Sequence, residues 1–451
     1  MQLNTKLEQL VELFTLKHAP SCGSISPPDN QAGDGPSLEK LDTLAQIKAL
    51  SVGIEKCEVT GTTPHALGLS QLVSAVESAQ IPRSRVTILD KEPPSPRQDQ
   101  QRAEAILHGG SMGPDEQVWV EWKYVLLEPA ARGNNNNKSG PDTTIERRMG
   151  ALALLLKKTR HCEQLRYPRC SGYIREPYTS GLQEGVRFGL VFHKPAGVAP
   201  TSRPVSLLDL LRAGTSRPVP SMTARVALSH CLAECLERFH AVGWLHKSLR
   251  SSNILFFPSS SSSSSENPAC ADGQVDLARP YIAGFDYARP SKDPRYTEVL
   301  VRNPAHDLYR HPHVQGSGRE ADTSYAGFRQ GYDIYSLGIV LLEVALWEPV
   351  AQTIGLRDEN AATFSDTMAV RSKLLVALRL RELAARMGDR VAKAIEACLT
   401  SLAGLGLGLE GQPGKHDGDD DDDDDDDAEV HARIQLAFYE RVVKELKNVK
   451  I

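Results

Sequence analysis

The chain has 451 residues, 40% hydrophobic and 24% charged, with a formal net charge of −5. That length supports two or three domains' worth of core, or one two-part domain with appendages, in a composition typical of globular proteins. Ten aspartates, Asp417 and Asp419 to Asp427, dominate the charge; the remainder is about +5, too little to suggest nucleic-acid binding.

Eight cysteines are scattered through the chain, without a CxxC pair or a His/Cys cluster at metal-ligand spacing. There is no basic-then-apolar leader and no apolar run of about 18 residues. These features predict a reducing, cytoplasmic setting and no membrane-spanning segment.

Taken in order, Leu3, Leu7, Leu10 and Phe14 recur at helical spacing and predict an amphipathic helix over residues 1–17. A Pro/Gly/Ser-rich stretch from Pro20 to Pro36 reads as a linker. Short helical patterns follow at 37–51 and 65–79, then a strand at Arg85 to Asp90 and the break Pro93-Pro94-Ser95-Pro96. Residues 1–99 are therefore expected to form a helical N-terminal extension and linker.

His108 to Gly113 (HGGSMG) is a glycine cluster of the kind that marks a turn. Gln117 to Pro129 is rich in β-formers and predicts a buried strand. Alternation puts Trp119, Glu121 and Lys123 on one face and Val118, Val120 and Trp122 on the other. After a low-complexity loop at Ala131 to Asp142, Thr144 to Arg166 predicts a helix with Leu152, Leu155 and Leu156 on its apolar stripe. Cys170 to Arg175 and Phe188 to His193 read as two further strands. Ser206 to Arg212 predicts a short helix. Met222 to Ala241 predicts a long amphipathic one that buries Val226, Cys231, Leu232, Cys235, Leu236 and Phe239.

That helix leads into WLHKSLRSSNILFF, Trp244 to Phe257. A serine run, Ser259 to Ser265, predicts a flexible insertion near 258–273. Tyr281 to Pro290 (YIAGFDYARP) and Leu308 to His313 (LYRHPH) follow. Gly331 to Val350 is apolar almost all round, as a buried helix should be. Helical patterns fill Met368 to Leu402. Gly404 to Asp427 is expected to be disordered, and Glu429 to Val449 to close the chain as a helix.

Several of these stretches together resemble a diverged protein kinase domain over roughly residues 100–449. His246 and Asn253 stand at the spacing of the kinase catalytic loop H-R-D-L-x-x-x-N, followed by an apolar strand. The resemblance implies an α+β, two-lobed fold: a β-rich N-lobe over 100–195 and a helical C-lobe over 196–451, with disordered insertions near 258–273 and 404–427. It places Lys123 as the phosphate-binding lysine, Glu121 where a small residue normally faces adenine, and Gly110 and Gly113 in a phosphate loop lacking its first glycine. It implies a helix glutamate pairing with that lysine, for which Glu146 and Glu163 are the candidates. Asp333 would cap the catalytic loop, with Ser336 and Gly338 allowing close packing.

The same resemblance shows what has changed. Ser248 replaces the aspartate base, and a serine hydroxyl is no base near neutral pH without a partner to take its proton. In G-F-D order, Gly284 holds the metal ligand's place, Phe285 is in register, and Asp286 stands two residues later. Asn253 and Asp286 are the candidate metal ligands. The expected function is that of a pseudokinase, a signalling or interaction module with a protein partner. The alternative is an active atypical Ser/Thr kinase binding ATP and magnesium through Lys123, Asn253 and Asp286. EWKY, WLHKSLRSSNILFF, GFDYARP and LYRHP are similar to fungal kinase-like proteins that often follow a HeLo (prion-inhibition) domain, which implies a setting in incompatibility or cell-death signalling.

Overall fold

The computed structural model describes residues 48, 76, 78–90, 102–109, 113–126, 141–158, 166–180, 183–214, 218–258, 275–291, 302–315, 328–400 and 423–450. The predicted helix at 1–17, the linker after it, the serine run, Gly110 and Glu163 lie outside these residues. Lys48 and Val76 are the helical residues described within the patterns at 37–51 and 65–79.

The architecture is mixed α+β. Strands β1 (Val86–Ile88), β2 (Arg102–Leu107), β3 (Glu116–Leu126), β4 (Cys170–Ser180) and β5 (Gln183–His193) form an antiparallel sheet in the order β1-β2-β3-β5-β4. Helix α1 (Pro141–Lys158) follows β3 in the chain and packs on the sheet. The sheet is curled, because one short stretch reaches both of its outer regions. Ala79 and Ile81 exchange backbone hydrogen bonds with Tyr173 of β4. A few residues later, β1 pairs with β2. This covers edges that would otherwise present unpaired amides and carbonyls. Ala79, Ile81 and Val86–Ile88, within the stretch expected to form the N-terminal extension, therefore pair with the sheet. The reason is edge pairing, which a short strand followed by a proline-rich break does not reveal.

Alternation along β3 divides the sheet's two faces as expected. Val118, Val120 and Trp122 join Ile81, Val86, Ala103, Ala105, Ile174 and Val191 in a small apolar cluster on the inside of the curl. Gly189 leaves room there, since a Cβ would lie 2.5 Å from Val120 Cγ1. The other face carries Trp119, Phe188, Leu190 and Phe192. It joins the buried side of α1 (Met149, Leu152, Leu155, Leu156) in a core that runs on into the helices. The α1 stripe is thus where its spacing placed it.

Past β5, strand β6 (Val205–Ser206) leads into α2 (Leu207–Arg212), and α3 (Met222–Ala241) occupies the residues its periodicity predicted. Of its two cysteines, Cys235 is buried and Cys231 half-buried. Strands β7 (Trp244–Leu245), β8 (Ile254–Phe256), β9 (Tyr281–Ile282) and β10 (Arg289–Pro290) make two small ladders around the loop between β7 and β8. Helices α4 (Pro304–Asp307), α5 (Gln330–Leu346), α6 (Val350–Thr353), α7 (Phe364–Leu374), α8 (Ala377–Met387), α9 (Asp389–Leu399), α10 (Asp423–Phe438) and α11 (Lys444–Lys447) complete the helical part, with a π-helical turn at Tyr439–Val443 between the last two. Helix α10 begins at Asp423, inside the tract expected to be disordered. Aspartates at a helix start favour that start through the helix dipole. No helix among the described residues is long and apolar enough to cross a membrane.

Helix α5 is the axis of the helical part, buried from Gln330 to Ala345. Ser336 Oγ donates to the carbonyls of Tyr309 (2.8 Å) and Tyr332 (3.0 Å). A Cβ on Gly338 would come within 2.7 Å of Cys398 Cβ in α9, so this glycine sets the helix–helix distance. Glu343 is fully buried. Its Oε1 accepts from the Val350 amide (2.7 Å) and from Tyr309 O–H (2.8 Å), which also meets Ser251 Oγ at 2.7 Å. Its Oε2 has no hydrogen-bond partner among the described residues. Burial pushes the Glu343 carboxyl up to about 7, against the hydrogen bonds from Val350 and Tyr309.

A folded-state pKa above the unfolded value means that the native state holds the extra proton. The stability it contributes is complete below about pH 4.5 and is lost as pH rises toward 7. Glu343→Gln is expected to remove that loss. Urea denaturation of both proteins at intervals from pH 4.5 to 7.5 should show wild-type stability falling relative to the variant by roughly 2–3 kcal/mol. Parallel curves across that range would refute the assignment.

Candidate functional site

The loop between β7 and β8 is held from beneath by one carboxylate. Asp333, in the first turn of α5, is fully buried. Its Oδ2 accepts from the His246 amide (2.7 Å), its Oδ1 from the Lys247 amide (2.8 Å), and His240 Nε2 lies 3.2 Å from Oδ2. Lys247 has φ +64, a left-handed conformation rare for a non-glycine residue, and the Asp333 bonds hold it there. Burial alone would raise the Asp333 pKa. The His240 bond and charge, with those of His246, outweigh burial and hold the carboxyl below its ordinary value. The capping role expected of Asp333 is present in this geometry.

His246 is buried beneath the loop. Its Nδ1 accepts from the Ser248 amide at 3.3 Å, which leaves the neutral ring's proton on Nε2. Burial depresses its pKa to about 4, against the opposing charges of Asp333 and Asp286. The ring lies 5.1 Å from Phe285, which continues through Phe192 (6.4 Å) to Trp119, stacked on Phe192 at 4.6 Å. An aromatic path thus joins the loop to β3.

Ser248 is nearly buried, and its Oγ accepts from Arg250 Nη1 at 2.5 Å. The acceptor that could take its proton, His246 Nδ1, is occupied by Ser248's own amide. Asn253 is committed at both ends. Its Nδ2 donates to the Ser248 carbonyl (2.8 Å), and its Oδ1 accepts from Arg102 Nη2 (2.8 Å). Gly284 sits directly against it with φ +79, where a Cβ would fall 1.9 Å from Asn253 Nδ2. The side-chain oxygen of Asn253, expected as a metal ligand, thus accepts from a guanidinium in this geometry. Among the described residues no group of three or more His, Cys, Asp or Glu could hold a metal ion.

The residue that organises this junction is Arg102, at the start of β2. Besides Asn253 it donates through Nε to Glu121 Oε1 (2.7 Å) and through Nη1 to the Ser252 carbonyl (3.0 Å). Glu121 in turn accepts from the Gly284 amide at 2.9 and 3.1 Å. One arginine thus ties β3, the loop and the GFD segment together. Register explains the pairing, since Arg102 and Glu121 are direct cross-strand partners. Sequence reasoning passed over Arg102. Its only signal is alternation in RAEAIL, which marks a strand and not a role.

Two residues beyond Glu121 on β3, Lys123 places its Nζ 3.8 Å from the centre of the Tyr287 ring, while Glu121 accepts from the Gly284 amide. Gly109 and Gly113, the described glycines of the cluster, lie between β2 and β3 beyond Leu107↔Glu116, the opposite end of the hairpin from Arg102↔Glu121. At about 3.4 Å per residue, Gly113 and Lys123 stand more than 20 Å apart along the strand. The turn is fastened by Asp115, which meets His108 Nδ1 at 2.8 Å and the Gly109 amide at 3.2 Å. Glu146 pairs with Arg175 of β4 at 3.5 Å. The buried polar side chain of α1 is instead Arg148, which donates to the Asp286 carbonyl at 3.0 Å. Asp286 lines the small cavity beside Asn253.

The open space bordered by Arg102, Glu121, Asn253, Gly284, Asp286 and His306 is about 30 Å³, room for one or two water molecules. A neighbouring cavity of about 100 Å³, bordered by Asp90, Trp119, Arg203, Asp209 and Leu255, is also well below the roughly 300 Å³ at which small-molecule sites begin.

Three outcomes follow for stability. Arg102→Ala leaves Glu121 buried without its cation and is expected to cost roughly 3 kcal/mol, read as a lowered urea midpoint; an unchanged midpoint would remove Arg102 from the centre of the site. Gly284→Ala is expected to cost at least about 2 kcal/mol, combining left-handed strain with displacement of Asn253. A neutral His246, with a folded pKa below its ordinary 6.5, contributes stability above that value that is lost as pH falls toward 4. The thermal midpoint of the wild type should therefore drop across that window relative to that of a folded His246→Asn variant.

No curated protein matches the chain. Residues 193–448, more than half of its length, match the family described as a domain of unknown function, DUF7580. The chain belongs to the DUF7580 family.

Proposed function

We propose that this protein is a pseudokinase: a diverged, two-lobed protein kinase-like domain that works by binding a protein partner and not by transferring phosphate. The strand order β1-β2-β3-β5-β4, the position of α1 between β3 and β4, and the Asp333-capped loop carrying His246 and Asn253 support the kinase-like reading. The observation that carries the silent reading is the Arg102 bridge. It occupies Asn253 and Glu121 and leaves about 30 Å³ where a triphosphate and its magnesium would need to sit. Phosphoryl transfer depends on metal ions, a cation on the phosphates and an oriented hydroxyl acting together, and groups that act as a unit leave little rate when several are lost. The likeness to HeLo-associated fungal kinase-like proteins supports a place in incompatibility or cell-death signalling.

The test is a thermal-shift titration with ATP and magnesium, followed by a phosphate-transfer assay. The wild-type chain is expected to show no shift and no transfer. An Arg102→Ala, Glu121→Ala double variant that retains its fold should gain a shift if the bridge is what closes the cleft. Magnesium-dependent transfer by the wild type, abolished by Lys123→Ala, would establish the alternative of an active atypical kinase.

A further inference from the structure

Three neighbouring strands of the sheet bring Glu116 (start of β3), His193 (end of β5) and Ser171 (start of β4) together at one end of the curl. The register of β4 against β5 shifts between Cys170 and Gly172, so Ser171 sits at an irregularity in the ladder. Such bulges re-aim a side chain. Ser171 Oγ hydrogen-bonds His193 Nε2, and His193 Nδ1 meets Glu116 Oε2 at 2.7 Å. Hydroxyl, imidazole and carboxylate therefore stand in a row, with the imidazole engaged through both nitrogens. That is the order of nucleophile, base and orienting group.

We propose that Ser171, His193 and Glu116 form an acyl-transfer site for small carboxylic esters, apart from the Arg102 cleft. Glu116 accepts the Nδ1 proton, which fixes the tautomer and leaves Nε2 to accept from the Ser171 hydroxyl. Burial, and then the charge of Arg169, lower the His193 pKa, so the ring is in its base form at neutral pH. Arg169 is exposed, and its charge acts at His193. In the step itself Ser171 Oγ bonds to the ester carbonyl carbon and its proton passes to His193 Nε2. The carbon–alkoxide bond then breaks, and the alcohol leaves with that proton. Water, deprotonated by the same nitrogen, releases the carboxylic acid and restores the serine. Glu116 is half-exposed and Ser171 partly so, and this open setting suits short acyl groups.

The experiment uses the full chain and p-nitrophenyl acetate, following nitrophenolate release and locating the acetyl adduct by peptide mass. The adduct is expected on Ser171, with Ser171→Ala abolishing it and slowing hydrolysis about a hundredfold or more. Glu116→Gln, at an exposed position, should retain the thermal midpoint yet slow acylation at least tenfold and move its pH profile. Acetyl groups confined to other residues, or equal rates in wild type and Ser171→Ala, would overturn the proposal. If Ser171→Ala does not fold, an unchanged rate in Glu116→Gln would overturn it as well.

Discussion

A single buried carboxylate fixes the geometry on which the candidate site depends. Asp333 takes the amides of His246 and Lys247 on its two oxygens. The hydrogen bonds to an ionised acceptor compensate for its burial and for the left-handed backbone at Lys247. Because Asp333 rises from α5, which is buried along its length, the loop inherits the rigidity of the helical core. Everything above it, from Ser248 to Asn253, is then placed relative to that core.

On this rigid base the cleft pairs its own charges, the reverse of what a nucleotide would need. A site for a triphosphate and magnesium presents cations to phosphate and oxygens to metal. Here the carboxylate Glu121 faces the Gly284 amide, and the guanidinium of Arg102 faces the Asn253 oxygen. Each group meets a complementary partner from within the protein. The arrangement satisfies buried polar groups. Gly284 completes it, because only a residue without a side chain can lie so close to Asn253.

Elements with a strong periodic signal were legible in the sequence. Helix α3, the helix carrying Asp333, and the two faces of β3 follow directly from apolar spacing, since burial is what that spacing encodes. The loop cap was legible through its motif. The Arg102 bridge was not, because an arginine at a strand start has the same local pattern whether it faces water or a buried glutamate. What decides is cross-strand register, which depends on how β2 and β3 are joined and on the curl of the sheet. The same limit explains Lys123 and Gly113. Motif likeness along the chain does not say where the hairpin sets Lys123, beside Tyr287, or Gly113, at the far end of the strands.

The apolar core runs without interruption from Trp119 and Phe192 on the sheet, through Phe285 and Phe239, to Val442 and Leu446 near the C-terminal end. The segment shared with the DUF7580 family starts at His193, the last residue of β5. A fragment trimmed to that limit would keep Phe239 and Phe285 but lose the strands that shield them from water. The core thus crosses the family limit, which falls within a packed unit.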